Sequence, residues 1–570
     1  MVTPETIGGP AKASFYSRYL LFIAGIGGLL YGADIGIIAA ALLYVGRTIE
    51  LTLEQTSLIV AAVLGGSMVS SLAAGVLADW FGRRKMMIVS GVMFVLSVAI
   101  IVFSRDFGML FAGRLLQGMS GGVIAVVVPL YLAECLSANN RGRGTAIFQF
   151  FLTLGIVLAA LIGYVYTRQA EAAVALAHGN AVLIRTAQNH AWRAMFLAVL
   201  YPGAIFLGGS FLLSETPRWL VRRGKNEEAL KALRRSVSEA EAQREMAEMQ
   251  LLAKERPGGS TSGGPLLRRK YVVPFLLACI VLSLTQTTGI NSILSFLVVI
   301  LRQAGMSARH ATQGDVLVKL INCGMTVLAV LLVDRKGRRF LLRMGTAGIV
   351  VALTIAGVLF LRAEAGRLDV RSHIEAAKVN NEIHLPLDMA GLGATNGRAM
   401  ALTVAYSYGH GEHLATVLSD SDHPALEIVP EGKDGGATLV IDRALYGPVP
   451  TEATGWMVAA CLGLFIMSYA AGPGVVVWLT LSELMPTRIR STGMGIALLL
   501  NQGISTAIAG VFLPVVGNHG YAAMFFFWAG CTVLYYLTAT FWLPETRGKS
   551  LEEIEMYFEK SRGQEEMAGS

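Results

Sequence analysis

The sequence predicts an all-α membrane protein of twelve transmembrane helices, in two pseudo-symmetric six-helix halves, with a large outward-facing insertion in the second half. Three observations predict it. Of 570 residues, 54% are hydrophobic and only 15% charged, and the mean hydropathy is +0.57. Apolar runs of roughly 18 or more residues, enough to span hydrocarbon, recur about twelve times. Finally, the basic turn Asp79 to Lys85 (DWFGRRK) returns between two later apolar runs as Asp334 to Phe340 (DRKGRRF). Two further pairs repeat in the same order: Glu134 and Arg141 as Glu483 and Arg490, and Glu215-Thr-Pro-Arg218 as Glu545-Thr-Arg547. A period this long means two homologous halves, not a solenoid. The later pairs are more widely separated than the turns, which places extra chain between Arg339 and Glu483.

The expected spans lie near residues 19–45, 57–78, 86–104, 109–133, 145–166, 192–213, 271–301, 314–333, 341–361, 455–481, 492–516 and 521–543. They divide the chain into an N-terminal lead-in (1–18), a first six-helix half (19–213), a helical linker (214–270), a second half (271–361 and 453–543) interrupted by the insertion (362–452), and a tail (544–570). Lys and Arg of the two basic turns, the linker and the tail fall on one side, so by the positive-inside rule both termini are cytoplasmic. This bias accounts for the net charge of +8, and a nucleic-acid partner is not expected. The five cysteines show no disulfide or metal spacing. The first apolar stretch is too long for the core of a cleaved leader.

In the first span Gly28, Gly32 and Gly36 form a small-residue stripe that admits a close neighbour. Asp34 lies roughly opposite. A carboxylate in mid-span costs at least about 2.5 kcal/mol and needs a partner or water; Arg114, in the fourth span, is the candidate partner. The two form either a structural clamp or a protonatable site whose charge is set by the nearby cation. Gln149 lies in the fifth span, and the connection 167–191 is long. Asn226 to Lys254 should form short amphipathic helices, closed by the linker PGGSTSGGP at 257–265.

The seventh span contains LTQTTGINS (284–292), polar positions in hydrocarbon around the helix-weakening Gly289. Asn322 and Lys319 share a face of the eighth, Gly472-Pro-Gly474 breaks the tenth one turn before Trp478, and Asn501 and Gln502 lie in the eleventh. Amides that donate and accept at once, with an indole face, suit a neutral hydroxyl-bearing ligand; the alternative is interhelical bonding. In the insertion, Ile428 to Arg443 reads as a hairpin turning at Gly435-Gly436. His410 and His413 lack a second ligand cluster, so no metal and no other cofactor is expected.

These motifs, taken in order, resemble the sugar porter family of the major facilitator superfamily over nearly the whole chain except 362–452 and parts of 167–191 and 239–265. The matching stretches are Gly113-Arg114, Asp79 to Arg84, Glu134 to Arg141, Glu215 to Leu220 (ETPRWL), Gln286 to Asn291, Gly472 to Trp478, and Pro544 to Lys549 (PETRGK). The resemblance implies sugar contacts at Gln149, Gln286, Asn291, Asn322, Trp478 and Asn501, and a proton-coupling pair at Asp34 and Arg114. It also implies a cytoplasmic gate of ion pairs among Asp79, Arg84, Glu134, Arg141, Glu215, Arg339, Glu483, Arg490 and Glu545.

The chain departs from the family pattern at Thr285, Ile156, Ser295-Phe296 and Gln502, which leaves a monosaccharide, an inositol, another polyol or a modified sugar open. Lys319 either attracts a uronate or snorkels outward. The expected function is import of a small polyhydroxylated solute by proton symport, as a monomer in the inner cell membrane. A non-transporting sugar sensor and an uncoupled facilitator are the alternatives. No catalytic set is present, so an enzyme is not expected.

Overall fold

The structure, a computed structural model, describes residues 15–136, 138–236, 239–254, 269–387, 400–409, 412–419, 425–429, 437–485, 490–545 and 558. The first half comprises α1 (Phe15–Thr48), α2 (Leu53–Phe81), α3 (Arg83–Phe103), α4 (Phe107–Cys135), α5 (Ala138–Leu176) and α6 (Ala181–Leu212). Short helices follow: α7 (Pro217–Arg222), α8 (Asn226–Ser236) and α9 (Glu239–Lys254). They pack through Leu220, Ala229, Leu233, Ala242 and Met246, the apolar face expected of 226–254. The second half begins with α10 (Arg269–Thr287), α11 (Ile290–Gln303), α12 (Ala308–Lys336) and α13 (Arg338–Ala365). After the module described below come α15 (Glu452–Ala471), α16 (Pro473–Leu484) and α17 (Arg490–Phe541).

Ten helices among the described residues are long and apolar enough to cross a membrane. That number counts α17 once, although it is broken at Gly520 (φ 81°), and does not include the 29-residue α12. Helix starts follow from local chemistry. Thr52 and Gln55 form a capping box on α2, and Asp106, Asn180, Ser307 and Thr451 cap α4, α6, α12 and α15. The long 167–191 connection is not a loop: α5 runs on to Leu176 and α6 starts at Ala181, because the alanine-rich stretch 170–177 has high helix propensity.

The glycine stripe of α1 seats α5. A Cβ at Gly32 would stand 1.9 Å from the Leu152 carbonyl oxygen, and one at Gly28 2.4 Å from that of Phe148. The opposite side of α1 faces α4, where a Cβ at Gly121 would lie 3.4 Å from Asp34 Oδ2.

The two repeated turns have the same construction. Gly82 (φ 99°) joins α2 to α3, and Gly337 (φ 87°) joins α12 to α13, in a region of backbone space that favours glycine. Room matters as well, since a Cβ would lie 2.3 Å from Glu215 Oε2 at Gly82 and 2.8 Å from Glu545 Oε2 at Gly337.

Between α13 and α15 the chain folds into a β-rich module: β1 (Leu368–Asp369), α14 (Arg371–Ala376), β2 (Ile383–Pro386), β3 (Met400–Ser407), β4 (Glu412–Leu418), β5 (Ala425–Ile428) and β6 (Val440–Pro448). One sheet has the order β1-β6-β3-β4 and a second pairs β2 with β5, all antiparallel. Ile374, Leu402, Val404, Ile428, Ile441 and Tyr446 share its core. Ile428 and Arg443 do not belong to one hairpin, contrary to expectation. Ile428 ends β5, which pairs with β2, whereas Arg443 lies on β6, which pairs with β3; its supposed turn at Gly435-Gly436 lies outside the described residues. Buried and more exposed positions alternate along β5 and, apart from a bulge near Asp442, along β6, and such a pattern specifies a buried face without specifying the partner. The hairpin is β3–β4, whose connection includes Gly409 (φ 87°); His410 lies outside the described residues, and His413 is paired opposite Tyr406. No group of potential metal ligands occurs among the described residues.

The module sits on the end of the bundle opposite the basic turns. Arg443 donates to the carbonyls of Gly517 (3.2 Å) and Asn518 (3.1 Å), and Glu364 accepts from Tyr521 N (2.7 Å). A cleft between module and bundle is lined by Leu53, Arg367, Thr403, Leu414 and Tyr521, among others. Burial lowers the pKa of Arg367 in this cleft, and the Glu364 carboxylate beside it opposes the shift.

Candidate functional site

Polar side chains inside the second half converge where α10 breaks. Gly289 (φ 81°) separates α10 from α11, and a Cβ there would meet the buried Trp528 ring at 2.4 Å. Gln286, on the last turn of α10, donates to Asn501 Oδ1 of α17 (3.2 Å). Asn291, on the first turn of α11, donates to Gln286 Oε1 (3.0 Å) and to Ser505 Oγ (2.7 Å). Asn501 in turn donates to the Leu282 carbonyl (3.0 Å). Three of the expected residues thus form one network across the break, with Gln286 and Asn501 buried and Asn291 half-buried. Ser505 was missed, because a serine in an apolar helix so often bonds its own backbone that it carries little signal.

The other three are placed differently. Gln149 (half-buried) and Asn322 (buried) flank the seam of α5 and α12, one turn and one residue from the contact of Thr153 Oγ1 with Cys323 Sγ (3.5 Å). Trp478 is 45% exposed on α16 and takes no part in the amide network. Thr285 turns to the Tyr535 hydroxyl (3.0 Å).

Asp34 and Arg114 are both 1% exposed, yet they form no ion pair within 4.0 Å, which corrects the direct pair expected. Arg114 Nη1 donates instead to Gln117 Oε1 (2.6 Å), one turn along its own helix, and its guanidinium lies 5.5 Å from the Phe196 ring centroid. Neither Asp34 oxygen has a hydrogen-bond partner. The i,i+3 spacing lets Gln117 compete for Arg114 at no cost in chain entropy, a competitor the sequence already contained.

At the basic end, one pseudo-symmetric constellation is built twice. Arg83 Nη2 meets Asp79 (2.6 Å) and Glu134 (3.0 Å), and Glu134 accepts from Thr216 Oγ1 (2.6 Å). Glu215 accepts from the backbone of Arg83 (2.9 Å), Arg84 (3.1 Å) and Thr216 (3.0 Å); burial raises its pKa and these bonds oppose the rise. In the second half Arg338 meets Glu483 (3.1 Å), and Glu545 accepts from the backbone of Arg338 (3.0 Å) and Arg339 (3.1 Å). The ion pairs therefore use the first arginine of each turn, Arg83 and Arg338. Arg84 and Arg339 cap the carbonyls of Phe211 and Thr540 instead. The side chains of Arg141 and Arg490 lie outside the described residues.

A sequence model of the family described as "Sugar (and other) transporter" matches residues 20–374 and 436–558, leaving out most of the β-rich module. The chain belongs to the sugar porter family of the major facilitator superfamily. It is a multi-pass membrane transporter of that family, not an enzyme. This sugar porter is 27% identical to the glucose transporter GlcP of Staphylococcus epidermidis, covering 96% of this chain and 98% of that one. It is equally similar, at 27%, to the human proton myo-inositol cotransporter, over 94% of this chain and 81% of that one. A solved structure of the xylose transporter XylE from E. coli, in a partially occluded inward-open conformation, superposes with a TM-score of 0.67 at 20% identity, covering 94% of this chain and all of that one. At that identity the likeness shows the fold.

Within this sugar porter the amide network has the chemistry for a neutral polyol. Each amide offers both donor and acceptor, and Asn291 is the half-buried member of the network.

Proposed function

We propose that this twelve-span carrier imports a small polyhydroxylated solute, a monosaccharide, inositol or related polyol, by proton symport through alternating access. It works as a monomer in the inner cell membrane, with the basic end and both termini cytoplasmic and the module outside. The observation that carries the coupling is Asp34, fully buried with neither oxygen hydrogen-bonded, beside an arginine held by Gln117. A carboxylate in such a place needs the nearby cation, whereas a neutral carboxyl does not, so the arrangement suits a group that gains and loses a proton. When the proton leaves, the charge attracts Arg114 away from Gln117, and the rotamer exchange biases how α1 packs on α4. Likeness to a glucose transporter and to a proton inositol cotransporter supports the solute class and the coupling.

The solute site on this reading lies between the Gln286–Asn291–Asn501–Ser505 network of one half and Gln149 of the other, with Asn322 and Trp478 on its wall. The gate residues are Asp79, Arg83, Glu134 and Glu215 in one half and Arg338, Glu483 and Glu545 in the other. Arg84, Arg141, Arg339 and Arg490 support them. The test is uptake of labelled glucose, xylose and myo-inositol into proteoliposomes with and without an inward proton gradient. Gradient-driven accumulation of one of them is expected. Binding without flux overturns the reading in favour of a sensor, and flux indifferent to the gradient in favour of a facilitator.

A further inference from the structure

Asp315 and Lys319 lie one turn apart on α12 and are 1% and 0% exposed. Lys319 Nζ is 2.8 Å from Asp315 Oδ2 and also donates, at 3.1 Å, to the carbonyl oxygen of Gly36 on α1, in the opposite half. An ammonium inside the bundle is costly unless paired. The pair is neutral as a unit, so Lys319 presents no net charge to a uronate, and it does not snorkel.

A buried ion pair is also a poor way to gain stability, because apolar residues of similar volume do as well. A pair contained within one helix would, moreover, hold nothing else in place. The informative feature is the second bond, from Lys319 to the Gly36 carbonyl, which ties one half to the other at a point two residues beyond Asp34.

That bond belongs to a set. Thr153 and Cys323, Gln313 and Tyr164 (3.2 Å), Arg309 N and Glu171 (3.2 Å), and Leu513 N and Ser57 Oγ (3.0 Å) also join the halves, in the middle of the bundle or toward the module end. Among these contacts the Lys319 bond combines full charge with full burial. It is strong while dry and weak once water reaches it, the property of a contact that opens and closes.

We infer that Lys319, oriented by Asp315, is the latch that holds the module side of the bundle shut, and that its bond to the Gly36 carbonyl breaks when that side opens to admit solute. Asp315 is the positioning residue, holding the ammonium at a height on α12 where it can reach α1.

The inference rests on the alternating-access reading, but its test needs no solute. Ser57 is fully buried at the module-end contact of α2 with α17. Ser57→Cys in nanodiscs reports opening of that side by its rate of alkylation with a polar maleimide, measured over the background of the parent protein. Asp315→Asn/Lys319→Met in the reporter background removes both charges and strands neither. Losing a charge-assisted hydrogen bond across the interface should raise the alkylation rate about tenfold. Lys319→Arg, which keeps charge and reach, should stay within about twofold of the reporter alone.

An unchanged rate in the neutral double variant overturns the latch, as does an arginine variant that labels as fast as the double variant. Should the double variant fail to fold, Asp315→Asn/Lys319→Gln, too short to reach α1 yet polar, is measured and interpreted in the same way. Absence of flux in liposomes would sink the transport proposal while leaving this labelling result intact.

Discussion

At the scale of single residues, the buried Asp34 carboxyl and the Gln286–Asn291 amides place ionisable and hydrogen-bonding groups inside otherwise apolar helices. Asp34 stands out because a mid-span carboxylate is costly. Its consequence can be measured: Asp34→Asn fixes a neutral side chain of the same shape, so the variant should exchange solute across liposome membranes yet fail to accumulate it against a gradient. Concentrative, pH-driven uptake by that variant would make the site a structural element instead. Gln286 and Asn291 bond each other and their neighbours, so removing either leaves unpaired groups both in the network and on a bound hydroxyl. Gln286→Ala and Asn291→Ala should each weaken solute binding about tenfold, a cost of about 1–3 kcal/mol; calorimetric titration showing unchanged affinity in both would move the pocket elsewhere. Partner choice escaped the sequence for a physical reason. Arg114 has Gln117 one turn away and Asp34 on another helix, and only packing decides between them. Asp315 escaped because a polar residue two turns from a helix end resembles an interfacial one until its burial is known.

Among elements, the two basic turns show how much a repeated motif specifies. Its glycine, its arginines and the distant glutamates were all legible as a repeat, and the structure assembles them into the same constellation twice. Which of two adjacent arginines makes the ion pair was not legible, because it depends on the direction in which the chain leaves Gly82 and Gly337. Arg83 is 2% exposed and shares Glu134 and Asp79, whereas Arg84 is half-buried and caps a single carbonyl. Arg83→Ala should therefore cost about 3–5 kcal/mol, the penalty for stranding a buried partner, against about 1 kcal/mol for Arg84→Ala. Gly82→Ala meets both a forbidden φ and the Glu215 carboxylate, and should cost about 1–3 kcal/mol through backbone strain alone. Thermal unfolding in detergent separates the three; equal losses for Arg83→Ala and Arg84→Ala would show that the first arginine has no special place. Breaks at Gly289 and Gly472, by contrast, were readable from composition, since glycine and proline in hydrocarbon-length runs have few other reasons to be there.

For the whole molecule, the place of the insertion followed from the offset between repeats, but its internal pairing did not, because strand alternation identifies a buried face and leaves the neighbour open. The structure supplies what is needed to decide whether the module is essential. β1 and β6 are antiparallel neighbours with Leu368 opposite Tyr446, so their Cα atoms are about 5 Å apart. The module also has its own core, distinct from the helical one. Excising 369–445 and joining Leu368 to Tyr446 through two or three Gly/Ser residues therefore closes a gap that already exists, at small loop entropy. Glu364 and its bond to Tyr521 stay in place, while the Arg443 clamp on Gly517 and Asn518 is lost. The shortened protein should insert, keep its thermal midpoint within a few degrees, and transport at a measurable fraction of the full-length rate. If the halves are held together at that end by the helices and the Lys319 bond, alkylation of Ser57→Cys should also change less on excision than in the Asp315→Asn/Lys319→Met variant. Correct insertion without transport would assign the module a part in solute capture, and faster alkylation than in the latch variant would make the module itself the outer clamp.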